Sequence, residues 1–165
     1  MPKARPPYHG YTGVKDSGDA IERLVWLAGR RWRVISLGTY VDRDKRGKQG
    51  QKSVHADYRA ADIRFMSKAD RKQALSVFAG LYGVELIIDY QYTGTKLRRA
   101  WGRGWRCDRG RWLNYKQGQI SGGGQNWADW LHIEVAPGCD PDRLEAAFRA
   151  TKKVGKNGIA RRVQK

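Results

Sequence analysis

Two short blocks of this sequence carry side chains able to hold a metal ion. Ser53-Val54-His55-Ala56-Asp57-Tyr58-Arg59-Ala60-Ala61-Asp62 places a histidine and an aspartate seven positions apart. Asp129-Trp130-Leu131-His132 places an aspartate and a histidine three apart. The chain has three histidines in all, and two of them fall in these blocks. Two imidazoles and one carboxylate suit Zn²⁺, which accepts nitrogen and oxygen ligands. Three protein ligands leave a fourth position for water, as in catalytic rather than structural zinc sites. Asp129 is then a further carboxylate, able to take a proton from that water. Zinc is the expected ion, although histidine and carboxylate ligands accept other divalent ions as well.

In this order and spacing the blocks resemble the zinc peptidases that cut bacterial cell-wall peptides. That family groups D-alanyl-D-alanine carboxypeptidases and dipeptidases with the L-alanyl-D-glutamate endopeptidases of phage endolysins, and shares its fold with the hedgehog signalling domain. Its signature is Ser-x-His-x-x-Gly-x-Ala-x-Asp, followed later by an acidic residue, two spacers and a histidine. Ser53, His55, Ala60 and Asp62 match the first part, and Asp129 and His132 the second. The resemblance implies His55, Asp62 and His132 as zinc ligands, Asp129 as general base and Ser53 as a supporting group. It also implies that the segment upstream supplies a polar clamp for the substrate, for which Arg43 and Arg46 are the candidates. An aspartate rather than a glutamate as base looks more like the endolysin branch, so the implied reaction is hydrolysis of peptidoglycan stem peptides, at the L-alanyl-D-glutamate bond or a D,D-bond. The chain departs from the signature at Tyr58, where the family has glycine. The backbone there has to avoid positive φ or carry its cost.

Composition bounds these readings. A chain of 165 residues is expected to form one domain around a single core. No apolar run approaches a membrane span, and no apolar stretch follows the basic residues of the N-terminus, so neither a spanning helix nor a secretory signal is expected. The corresponding expectation is synthesis in the cytoplasm, then action on the cell wall after release or as part of a virion, by a monomer. Cys107 and Cys139 have no CxxC spacing and read as reduced, buried thiols. The formal net charge of +17 calls for an anionic partner. Anionic cell-wall polymers fit, and so does nucleic acid. A basic nucleic-acid-binding protein, or a metal-bearing but inert structural protein, is therefore the alternative function. Trp101 to Trp112 interleaves tryptophans, arginines and glycines. It could stack on nucleobases, stack on sugar rings, roof a groove or bury its own rings.

Elements that would position these residues follow from periodicity. Residues 1–17 read as an extended lead-in, 18–151 as the domain and 152–165 as a basic tail. Helices are expected over 19–29, 67–80 and from Asp140-Pro141 onward. Strands are expected over 33–37, 59–65, 84–90 and 130–135, while Tyr40 to Lys52 reads as an exposed loop and 121–126 as a flexible connection. Alternation sets Asp62 on the face of its strand opposite Ala61, Ile63 and Phe65. It sets His132 with Trp130 and Glu134, where Glu134 could hydrogen-bond a ligand histidine. The class this implies is α+β, a small antiparallel or mixed sheet flanked by helices, and the resemblance makes it hedgehog/DD-peptidase-like.

Overall fold

The computed structural model describes residues 4–151. The expected basic tail, 152–165, lies outside the described residues. In chain order the elements are α1 (Asp19–Arg31), β1 (Val34–Gly38), β2 (Asp44–Lys45), β3 (Lys48–Lys52), a 3₁₀ turn (Val54–Asp57), β4 (Ala60–Phe65), α2 (Lys68–Phe78), β5 (Val84–Asp89), β6 (Arg103–Arg106), β7 (Arg111–Asn114), β8 (Trp130–Val135) and α3 (Pro141–Ala150). The class is α+β. Six strands form one antiparallel sheet in the order β1-β4-β8-β5-β6-β7, and β2 and β3 form a separate hairpin.

The sheet divides the molecule because its strands alternate. Ala61, Ile63, Ile87, Leu131 and Ile133 are fully buried in one core cluster with Ile21, Leu24, Phe78, Leu144 and Phe148 of the helices. Apolar spacing of three and four residues gives α1 its buried stripe. Ser67 caps α2 by accepting from the Asp70 amide at 3.0 Å, and Asp140 caps α3 by accepting from the amides of Asp142 and Arg143. Trp32 ties the helical layer together, meeting Phe65, Phe78 and Phe148 edge-on at 5.6–6.0 Å between ring centres. The other face of the sheet carries Asp62, Leu86, Ile88, Trp130, His132 and Glu134, and these line a cavity.

Three segments differ from the sequence reading. Tyr40 to Lys52 is largely exposed, as expected, but contains the β2–β3 hairpin. Its strands are short and bury almost nothing, so no apolar alternation marks them. The Trp101–Trp112 stretch forms most of the β6–β7 hairpin. Trp105 is buried in the core, and Trp112 is half-buried with the Arg103 guanidinium 4.5 Å from its ring centre. Arg103 also pairs with buried Asp89, and Arg106 with Asp108. Trp105, Arg103 and Arg106 are thus committed to the fold, while Trp101 and Trp112 stay partly exposed.

The third difference is the lead-in. Residues 4–17 carry no helix or strand, yet they are fastened along their length to the fold. The Thr12 amide and hydroxyl donate to Asp57 Oδ2 at 2.6 and 3.0 Å, and the Gly13 amide to Oδ1 at 3.1 Å. The buried Arg59 guanidinium donates to the carbonyls of Gly10 and Val135 and to Asp57. His9 pairs with buried Glu85.

Candidate metal centre

Strand order brings the two sequence blocks together. β8, the last strand among the described residues, inserts between β4 and β5, and its register sets His132 directly opposite Asp62. His55 arrives from the 3₁₀ turn just before β4. Ser53 heads that turn, its hydroxyl facing the His55 amide at 3.4 Å. The result is a group in which one ligand atom each from His55, Asp62 and His132 lies within 4.8 Å of the others. The imidazole centres are 5.1 Å apart. His55 and His132 are 2% and 8% exposed, so the cluster lies in the interior rather than on the surface.

Hydrogen bonds settle which nitrogens are available. His55 Nδ1 lies 2.7 Å from the Thr39 carbonyl, which can only accept, so Nδ1 carries the proton. In the neutral imidazole Nε2 then presents a lone pair. It is buried, has no hydrogen-bond partner and faces Asp62 Oδ2 at 3.3 Å. A cation between this nitrogen and the carboxylate oxygen, a proton or a metal ion, satisfies both. His132 turns Nδ1 to Asp62 Oδ1 and Nε2 to Glu134 Oε1, both at 3.0 Å. The Tyr8 hydroxyl donates to Glu134 Oε2, also at 3.0 Å. With an ion at Nδ1, the Nε2–H would donate to Glu134, the carboxylate–histidine pairing that orients ligand imidazoles. The donor set therefore fits a divalent ion.

The same contacts set the electrostatics of the metal-free site. Burial acts to raise the Asp62 carboxyl, but the neighbouring His132 and His55 outweigh it and hold the group well below the usual carboxylate range. Burial opposes charging of His132, yet its bonds to Asp62 and Glu134 push the imidazole up to about 10. Burial, and then Glu134, drive Tyr8 far above an ordinary phenol; burial and Asp62 do the same to Tyr90.

Not every residue expected at the site reaches it. Ser53, Arg43 and Arg46 line the cavity with the metal group, and the Arg43 guanidinium lies 3.5 Å from Asp62. Asp129 does not line it. Its carboxylate accepts from Arg64 Nε at 2.8 Å and its carbonyl from Arg71 at 3.2 Å. Arg64 sits on β4 opposite Trp130, so the start of β8 delivers Asp129 to that guanidinium. Tyr58 adopts φ 59°, ψ 37° and is, among the described residues, the one non-glycine at positive φ. The backbone keeps the left-handed turn that the signature glycine would allow, and tyrosine carries the cost.

Other contributors had little or no signal in the sequence. Thr39 acts through its carbonyl, which has no side-chain identity to read. Tyr8 lies in the Pro-rich lead-in. Arg106, Arg109 and Tyr115 come from β6 and the segments beside β7. The cavity they help to line has a volume of about 660 Å³, in the range of small-ligand sites.

Fold and site together define an α+β protein with a buried His55–Asp62–His132 group able to hold a metal ion. No protein-family model, no curated protein and no solved structure matches the chain.

Proposed function

We propose that this chain is a zinc-dependent peptidase acting on peptidoglycan stem peptides, of the endolysin L-alanyl-D-glutamate or D,D type. The observation that supports this reading most is the convergence of His55, Asp62 and His132, drawn from blocks seventy residues apart, on the floor of a substrate-sized cavity. A divalent ion held there supplies Lewis acidity toward a scissile carbonyl and lowers the pKa of water from about 16 to about 7. His55, Asp62 and His132 hold the ion. Thr39 and Glu134 orient the imidazoles, with Tyr8 steadying Glu134. Arg43, 3.5 Å from Asp62, is the candidate group for receiving a substrate carbonyl or carboxylate. Asp129 is the carboxylate that the sequence pattern assigns to accept the proton of the attacking water and return it to the leaving amine; it stands outside the cavity on Arg64, so this role requires it to leave that guanidinium and turn into the cavity. The positive charge of the chain attracts the enzyme to anionic wall polymers.

Metal analysis of protein purified without chelator tests the centre, and release of new amino termini from purified peptidoglycan tests the reaction. The expected content is about one zinc per chain. His55→Ala, Asp62→Ala and His132→Ala each lose metal and turnover, while Asp129→Ala keeps the metal and loses turnover. Release by all four variants at the parental rate, or parental protein that binds zinc and releases nothing, would overturn the assignment.

A further inference from the structure

The face of the sheet that carries the metal group also presents two phenols, and register gives their place. His132 stands opposite Asp62 on one side and Ile88 on the other, and Ile88 stands opposite Gly104. Asp62, His132, Ile88 and Gly104 therefore form one row across the sheet. Leu86, Ile88 and Tyr90 alternate onto the cavity face. Tyr90 is thus the diagonal neighbour of His132, a separation that an aromatic side chain spans. Its ring lies 5.4 Å from that of Trp130. The 121–126 stretch, expected as a flexible connection, fixes its backbone, the Gly124 amide donating to the Tyr90 carbonyl at 2.7 Å.

Tyr115 enters the same cavity from the other side. It follows β7, its amide donating to the Gly102 carbonyl at 3.0 Å, and its ring crosses β6 over Gly104. A Cβ on Gly104 would lie 2.3 Å from the Tyr115 hydroxyl and 3.0 Å from the ring carbon that bears it. The missing side chain leaves the room that the phenol occupies. This hydroxyl therefore sits in the row of Asp62 and His132, one strand beyond Ile88.

Resting on the peptidase reading, we propose that Tyr90 is a catalytic residue of that hydrolysis: its hydroxyl donates to the oxygen of the scissile carbonyl as water adds, with the Tyr115 hydroxyl as a second donor on the same side. Other donors on the cavity wall are committed. The Tyr8 hydroxyl donates to Glu134, Arg43 stands at Asp62, and Arg106 pairs with Asp108. The hydroxyls of Tyr90 and Tyr115 make no hydrogen bond among the described residues. Burial, and then the Asp62 carboxylate, keep the Tyr90 phenol protonated, so it remains a donor. In the reaction the water oxygen bonds to the carbonyl carbon and the C=O electron pair moves onto the oxygen. The pair returns when the C–N bond breaks, and neither phenol gives up its proton. Donors fixed before that charge develops stabilise it without reorganising.

The test compares two ligands of zinc-loaded protein through tryptophan fluorescence. One is a soluble stem peptide, followed by stopped-flow mixing before turnover. The other is its phosphinic analogue, whose tetrahedral anionic phosphorus replaces the scissile carbonyl. Tyr90→Phe retains the ring against Trp130 and should keep about one zinc per chain. It should bind the analogue about a hundredfold more weakly than the parent and the peptide within about twofold, and lower kcat about a hundredfold at nearly unchanged KM. Tyr115→Phe should weaken the analogue about tenfold. A Tyr90→Phe protein that binds the analogue like the parent, or loses both ligands equally, overturns the proposal. The second result would make the phenol a contact to the ground state alone. A parent that cleaves while Tyr90→Phe cleaves at the parental rate overturns the role of Tyr90 and leaves the peptidase reading standing. A parent that releases no amine overturns the peptidase reading itself.

Discussion

His132 links the metal centre to the rest of the protein, because each of its nitrogens faces a carboxylate. In the metal-free site this favours the imidazolium, with its pKa pushed up to about 10. The stabilisation it gives is therefore fully present below the ordinary histidine value of about 6.5 and is lost as pH rises through about 10. An ion binding at Nδ1 displaces that proton, so zinc affinity should strengthen as pH rises over this window. Calorimetric titration of metal-free protein at pH 7.5, in buffers of different ionisation enthalpy, should show about one proton released from His132 per zinc bound. His132→Ala, which lacks one of the three ligands, should show neither the binding nor the release; a parent that binds zinc and releases no proton would mean His132 is already neutral. The types and spacing of residues 55, 62 and 132 were legible in the sequence because they lie on alternating strands or beside one. The position of Asp129 was not, since its partner Arg64 belongs to another strand and only the β4–β8 register brings them together.

Among the elements, the turn into β4 shows how a local cost is offset by tertiary packing. Left-handed backbone at Tyr58 costs a side-chain-bearing residue roughly 1–2 kcal/mol. Against this, the Tyr58 ring covers Gly18 so closely that a Cβ there would lie 2.5 Å from it. Its hydroxyl donates to Glu22 at 3.0 Å, and the Tyr40 ring lies 5.3 Å away. The two contributions separate by substitution. Tyr58→Ala loses the packing and keeps the strained φ, while Tyr58→Gly loses the packing and relieves the strain. Denaturant unfolding should therefore find both variants less stable than the parent, with Tyr58→Ala the worse by about 1 kcal/mol. Equal stability of the two would show that the turn relaxes when the ring is removed. Elements with a buried face, such as β4, β8 and α1, were readable from periodicity. The β2–β3 hairpin was not, because a two-residue strand of Asp44 and Lys45 has no face to bury.

At the scale of the molecule, the antiparallel sheet separates a layer of helices from a charged cavity, and the lead-in contributes Tyr8 to the lining of that cavity. Tyr8 bonds Glu134, which bonds His132, so a segment without regular structure reaches the metal group through two hydrogen bonds. The same segment supplies partners for buried charges. Arg59, Asp57 and Glu85 are each 1–2% exposed and depend on the Gly10 carbonyl, the Thr12 amide and hydroxyl, and His9 for part of their satisfaction. Nothing in the apolar pattern of the first seventeen residues announced this role, because the segment contributes backbone carbonyls and a few polar side chains rather than a stripe. Removing residues 1–17 leaves buried ions without those partners, at a cost of roughly 3–5 kcal/mol. The truncated chain should unfold at a distinctly lower denaturant concentration than the full chain and bind zinc more weakly, because Glu134 then holds His132 without the support of Tyr8. Tyr8→Phe in the full chain separates the two effects: it should weaken zinc binding while leaving most of the stability in place. A truncated chain with unchanged midpoint and zinc affinity would show that the lead-in merely lies on the surface of a domain complete without it.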